Sequence, residues 1–307
     1  MSSAARVLLT GSTGFVGSAA LAALREAGVP LTRLVRTETP ANSEERIVLG
    51  DLSDRRALVR ACREATVVVH SASYVGPDPV LQQQVNIDGT RALVEVAGAA
   101  GVTRLVYLST AGVYGSTWPP GAREGDLRPN PGSDLSRSRL AAEEIVLDAD
   151  GIVVRPNLVH GIGDRWFLAP LLAVMRRHEA WIGSGDTLLS AIGRIELGKV
   201  LAALACSSAP AGVYHAAASK PARLRELVEP IYAHAGLVPP TRRLTPEDAI
   251  TQLALQGVAK RQVTKVATDN WFDTTKLWTA LATNLVSSTE ASFDSDAIEW
   301  YATALSP

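Results

Sequence analysis

A chain of 307 residues with 47% apolar, 20% charged and 5% aromatic side chains is long enough for one large or two smaller domains, each with its own core. Its 30 basic and 31 acidic residues leave a formal charge of -1, so no general electrostatic pull toward nucleic acid or an anionic membrane is expected. Cys62 and Cys206 lie too far apart for a disulfide framework or a zinc cluster, no apolar run is long enough to span a bilayer, and nothing at the amino terminus reads as a leader; the expectation is a cytoplasmic protein.

Short apolar runs rich in β-branched residues, at 7–9, 31–35, 47–49, 67–69, 105–108 and 152–154, read as strands buried on both faces. Helical patterns at 16–27, 55–62, 80–100 and 135–148 alternate with them, Gly28 and Gly101 following two of these as C-cap residues. Strands alternating with helices predict right-handed crossovers and a parallel, doubly wound α/β sheet. After Arg155-Pro156 the rhythm breaks. Helices are expected at 167–178, 197–205 and 224–235, and a strand at 213–216 that rejoins the sheet. The tail from Pro239 mixes a helix at 246–256, a basic stretch and a Ser/Thr-rich loop. The expected division is a nucleotide domain over 1–160 and a smaller, discontinuous substrate lobe over 161–307, with a segment near 191–218 returning to the sheet.

The segment Thr10-Gly11-Ser12-Thr13-Gly14-Phe15-Val16-Gly17 joins the first strand to the first helix. Its three glycines suit a tight turn at Gly11, close backbone approach at Gly14 and helix-to-sheet packing at Gly17. The N–H groups that open the helix then face a pyrophosphate, as in a Rossmann fold. At the end of the second strand, where an acidic residue would accept both ribose hydroxyls of NAD, the chain reads Leu34-Val35-Arg36-Thr37, with Arg33 nearby. A guanidinium there suits a 2'-phosphate, so NADP(H) is expected in preference to NAD(H).

The glycine segment resembles the opening of the extended short-chain dehydrogenase/reductase family, which includes epimerases, dehydratases and reductases. The likeness continues through Gly50-Asp51-Leu52, Val69-His70-Ser71-Ala72, Val85-Asn86-Ile87-Asp88-Gly89-Thr90, Leu108-Ser109-Thr110-Ala111-Gly112-Val113-Tyr114-Gly115 and Val154-Arg155-Pro156-Asn157-Leu158-Val159-His160-Gly161, with weaker echoes further on. It is dense to about residue 160 and sparse beyond. The resemblance implies that Asp51 and Leu52 flank the adenine, that Ala72 lies beside the sugars, and that Pro156, Asn157 and Val159 meet the nicotinamide. It also implies dimerisation through the helices at 80–100 and 135–148, although the residues themselves leave monomer and homodimer open.

Family members carry a Ser or Thr, then a Tyr, then a Lys four residues later. Thr110, with Ser109 beside it, matches the hydroxyl position. Twenty-five residues on, the register kept by Ser138, Ala142 and Glu143 puts Leu135 in place of the Tyr and Arg139 in place of the Lys. Leucine exchanges no proton and arginine is always charged, so the usual acid/base pair is missing while ribose binding through Arg139 survives. Tyr74 and Tyr114 are candidate displaced acids, but neither is followed by a base one helical turn later.

A reductase whose substrate eases the proton problem fits this absence. A quinone, or a ketone beside a phenol of pKa about 10, delocalises or protonates its own oxyanion. It needs mainly positioning and a hydroxyl such as that of Thr110 or Ser109. Tyr74, Tyr114, Trp118, Leu135, His160, Trp166 and Trp181 are the expected substrate-side residues, flat and apolar as a polycyclic aromatic requires. With its missing dyad the chain resembles atypical reductases of aromatic polyketide pathways, which implies ketone reduction with a substrate phenol as proton source. The alternatives are a non-catalytic NADP(H) sensor and a sugar-nucleotide enzyme with a relocated base, for which Arg165, Arg176, Arg177 and Arg194 supply cations. His70, His160, His178, His215 and His234 are scattered, so no metal is expected. Glu124 and Asp126 read as a solvated loop. The expected partner is a small aromatic substrate, with no nucleic acid and no membrane.

Overall fold

The computed structural model describes residues 5–254, 260–281, 293 and 295–305 of the chain. The β-branched runs form β1 (Val7–Thr10), β2 (Leu31–Val35), β3 (Glu45–Leu49), β4 (Val67–His70), β5 (Arg104–Leu108) and β6 (Ile152–Pro156), and a later segment adds β7 (Gly212–Ala216). Their order is β7-β6-β5-β4-β1-β2-β3, with every neighbouring pair parallel. All residues of β1 and β4 are buried, as strands covered on both faces must be. Helices α1 (Phe15–Glu26), α2 (Arg55–Cys62), α3 (Gly89–Ala99), α4 (Asp134–Asp148), α5 (Leu168–His178) and α6 (Arg194–Cys206) follow along the chain. Alternation along the strands sorts them into layers: Leu9, Val69 and Val154 face α1 and α6, whereas Leu8 and Val68 face α2 and α3. Strand order reverses between β1 and β4, and this places a crevice at the carboxyl ends of the strands.

The helix expected over 80–100 is three pieces: Pro79–Leu81, a wide π turn over Gln82–Asp88, and α3. The reason lies in Gln82 and Asn86, both buried. Asn86 accepts from the Ser73 hydroxyl at 3.0 Å and the Tyr74 N–H at 2.8 Å, and donates to the Tyr74 carbonyl and the Ser138 hydroxyl. Gln82 donates to the Gly76 carbonyl at 2.7 Å. The wide turn aims both amides at the loop after β4, which walls the crevice; π turns recur at such sites.

Beyond β6 the chain alternates between two cores. α6 and β7 return to the sheet, with Gly212 through Ala216 paired to Ile152 through Pro156. A second core gathers Leu168, Leu172 and Met175 of α5 with Leu227 and Ile231 of the helix Leu224–His234 and Tyr301 of the helix Ser295–Thr303. The expected helix at 246–256 is Pro246–Ala254; its end at Gln256, and the Ser/Thr-rich loop over 282–292, lie outside the described residues. Among the described residues, no helix is long and apolar enough to cross a membrane.

Candidate active site

The first turn of α1 shapes one end of the crevice. Gly11 has φ +73°, and a Cβ there would come within 2.5 Å of the Ala72 nitrogen. At Gly17 a Cβ would meet the Gly11 carbonyl oxygen at 2.0 Å, so helix and loop touch through bare backbone. Gly14 has ordinary extended backbone and its Cβ would meet only the Gly11 oxygen, at 3.3 Å; its open side faces the crevice. No side chain caps α1, which leaves its opening N–H groups for an anion. The loop therefore fits a dinucleotide pyrophosphate.

At the edge of the sheet the two arginines part company. Arg33 is buried and fully engaged: it donates to Glu45 at 2.9 Å, to the Pro40 carbonyl at 2.8 Å, to Thr39 at 2.9 Å and to Ser12 at 3.2 Å. Arg36 is exposed. Asp51 is held below the usual carboxylate range, first by the Ser53 hydroxyl and N–H and more weakly by the charge of Arg36. Of the two arginines, only Arg36 is open to solvent.

Thr110 ends the extended run after β5 and accepts from the Gly112 N–H at 3.0 Å, so its hydroxyl hydrogen remains for donation. Ser109 has the opposite disposition. Its hydroxyl donates to the buried carboxylate of Glu143, leaving only lone pairs for the crevice. Leu135 and Arg139 lie one turn apart at the start of α4 and both line the crevice. Arg139 donates through Nη1 to the Leu108 carbonyl, while its buried Nε has no hydrogen-bond partner. Asn157 likewise has both amide atoms buried and unpartnered at the crevice wall. Such groups call for a ligand that offers both an acceptor and a donor, which fits a nicotinamide amide.

Behind Ser109 lies a charged network. Arg155 donates through Nε to both oxygens of Glu143 at 3.0 and 3.1 Å, and through Nη1 to the Tyr114 hydroxyl, which pairs with His215 Nε2 at 2.9 Å. A guanidinium does not release a proton, so this chain of contacts does not conduct one. Burial, assisted by Arg155, pushes His215 down to about 3; burial, assisted by Arg139, does the same to His70. Both are neutral imidazoles near pH 7. Burial also pushes the Tyr114 phenol up.

The crevice encloses about 1020 Å³. Of the expected residues it is walled by Gly14, Phe15, Val16, Gly17, Ser109, Thr110, Leu135, Arg139, Pro156, Asn157, Val159 and Trp166. Gly11, Thr13, Arg36, Asp51, Leu52 and Ala72 lie outside that wall. The fold turns other expected substrate residues away. Trp118 stacks on Phe272 with ring centroids 4.3 Å apart, in a buried cluster that also holds Tyr114. Trp181 is buried in the second core, His160 packs on Phe293, and Tyr74 lies in the loop gripped by Asn86. Glu124, expected in solvent, is half-buried and accepts the His215 N–H at 2.7 Å. Sequence reasoning missed Val75, Leu171, Val174, Val263 and Lys265, which also wall the crevice. Among the described residues, that wall contains no tyrosine, histidine, cysteine or glutamate; its titratable groups are Asp134, Arg137, Arg139 and Lys265. None of the described His, Cys, Asp and Glu residues form a group of three placed to hold a metal ion.

Comparison with known proteins agrees with this geometry. Residues 7–178 match the model of the NAD dependent epimerase/dehydratase family. The chain is similar to a 4-hydroxy-2-methyl-3-oxo-4-farnesyl-3,4-dihydroquinoline-1-oxide ketoreductase of Stigmatella aurantiaca, at 28% identity over 73% of this chain and 71% of that protein. It is also similar to a 2-alkyl-3-oxoalkanoate reductase of Stenotrophomonas maltophilia, at 30% identity over 75% and 76%. Among solved structures, MoeE5 in complex with UDP-glucose and NAD superposes with a TM-score of 0.71 at 25% identity, covering 98% of this chain and 100% of that one.

Proposed function

The chain belongs to the NAD-dependent epimerase/dehydratase family and is an NAD(P)H-dependent oxidoreductase; within that family we propose that it is an NADPH-dependent ketoreductase of a polycyclic aromatic polyketide or quinone, whose own phenol supplies the proton. The observation that carries this reading is a crevice wall with hydroxyls and cations but, among the described residues, no tyrosine or histidine. Bound reduced nicotinamide supplies a hydride to the carbonyl carbon. The chain's residues do the rest. Gly11, Gly14 and Gly17 admit the pyrophosphate, Arg36 meets the 2'-phosphate, and Arg139 and Asn157 supply polar atoms beside the nicotinamide riboside. Thr110 donates to the carbonyl oxygen, the neighbouring phenol gives its proton to that same oxygen, and Ser109, its hydrogen held by Glu143, presents only lone pairs. Leu135, Phe167, Leu171, Val174 and Val263 offer the apolar surface that flat rings need.

The test is to incubate the protein with NADPH and a panel of hydroxyquinones while following nicotinamide absorbance, and separately with oxidised nicotinamide nucleotide and nucleotide sugars while following the sugar products by chromatography. Oxidation by the quinones is expected. Turnover of a nucleotide sugar alone would replace the reading with an epimerase or dehydratase, and no turnover at all would favour a sensor.

Two substitutions bear on it. Arg36→Ala is expected to raise the KM for NADPH by about ten- to a hundredfold, the size of a lost charge-assisted hydrogen bond of ~1.5–3 kcal/mol, and to leave the KM for NADH nearly unchanged. Leu135→Tyr is expected to change kcat by less than about tenfold. A general acid is worth roughly a hundred- to ten-thousand-fold where one is lacking, so a rise of several hundredfold would mean that the substrate does not bring its own.

A further inference from the structure

The loop between the strand Leu158–His160 and α5 runs from Gly161 to Phe167, and it crosses from the second core to the glycine turn. Its Trp166 ring lies 5.6 Å, centroid to centroid, from that of Phe15, on the residue after Gly14, and Gly163 lies against the same ring. Trp166 is 51% exposed, so burial alone does not hold it there. Its position is set from below by Asp164, a carboxylate 1% exposed that accepts the N–H groups of Trp166, Phe167 and Leu168 at 2.7 to 2.9 Å. Asp164 is in turn fixed by Tyr301 of the helix Ser295–Thr303, whose hydroxyl donates to it at 2.9 Å and accepts the Gly161 N–H at 2.8 Å. One fully buried phenol thus ties the C-terminal helix to both ends of a loop that covers the pyrophosphate turn. Burial and the charge of Asp164 both push that phenol up, so it stays a donor at any working pH.

We infer that Tyr301 is a positioning residue for the dinucleotide: through Asp164 it keeps Trp166 against Phe15, and the C-terminal helix thereby sets how slowly the cofactor leaves. The inference rests on the nicotinamide-nucleotide reading of the site, and on neither the substrate nor the preference for NADPH. Tyr301→Phe removes only the hydroxyl and keeps the ring contacts with Phe293 and Trp300, at 5.8 and 4.9 Å. It removes one charge-assisted hydrogen bond, to Asp164, and one neutral one, from the Gly161 N–H.

The experiment is the rate of NADPH and NADH release, read by nicotinamide fluorescence in a stopped-flow chase with excess oxidised nucleotide. Tyr301→Phe and Trp166→Ala are each expected to release the nucleotide about three- to tenfold faster, and the double variant no faster than the faster single, because both act through one contact. Trp166→Phe, which keeps a ring over Phe15, is expected to restore release close to the wild-type rate. Unchanged release in Tyr301→Phe, or multiplied effects in the double variant, would overturn the inference. Should Tyr301→Phe not fold, unchanged release in Trp166→Ala would overturn it equally. Failure of the wild-type chain to bind either nucleotide would instead strike at the cofactor reading.

Discussion

Gly14→Val is expected to leave the protein folded and abolish dinucleotide binding, whereas Gly17→Val is expected to damage the fold itself. The two glycines stand three residues apart in one motif, yet their surroundings differ. At Gly14 an added Cβ meets a single oxygen at 3.3 Å, which a small shift relieves, but the branched side chain fills the opening through which a pyrophosphate must reach the first N–H groups of α1. At Gly17 the same Cβ would lie 2.0 Å from the Gly11 oxygen and 2.6 Å from the Ser71 hydroxyl, so α1 would have to lift off the sheet. Urea unfolding and NADPH titration by fluorescence separate the outcomes: near-native stability with binding weakened more than a hundredfold for Gly14→Val, and a loss of several kcal/mol, on the order of an overpacked core, for Gly17→Val.

Glu143→Gln is expected to cost about 3–5 kcal/mol of unfolding free energy, because it leaves the buried Arg155 guanidinium without a counter-charge. Arg155 is 6% exposed and Glu143 is fully buried, so water does not take over. The double change Glu143→Gln with Arg155→Met is expected to recover much of the loss, since removing both charges also removes the unpaired one. Equal losses in the single and double variants, measured by urea unfolding, would show that packing rather than charge sets the cost.

What was legible in the sequence follows from what is local. The strand runs declare themselves through β-branched residues, and the glycine turn through its spacing, Gly11 having a positive φ and no room for a Cβ, so the parallel sheet and its cofactor turn were readable. The replaced dyad was equally plain, because Leu135 and Arg139 sit at helical spacing. Contacts made across the fold were not. The π turn at Gln82 depends on Asn86 reaching Tyr74 and Ser138, and nothing in a helical pattern encodes that. Trp118 and Trp181 read as flat surface for a ligand but face protein, since a tryptophan's partner is set by tertiary packing. Arg33 and Arg36 look alike in sequence; a signal was present in Glu45, on the neighbouring strand, which claims Arg33. Asp164, four residues ahead of the first residue of α5, is of a type that accepts the free N–H groups before a helix, whereas nothing marked Tyr301 as its partner.

The account turns on where the proton comes from. Its most direct test compares saturating turnover of a polycyclic ketone bearing a phenol beside the reacting carbonyl with that of its O-methyl ether, under saturating NADPH. A fall in kcat of at least about a hundredfold for the ether, with its binding little changed, is the predicted result, since that is the smallest effect expected from losing a general acid. Equal turnover of the two compounds would contradict it, because the proton would then have to come from this chain or from water.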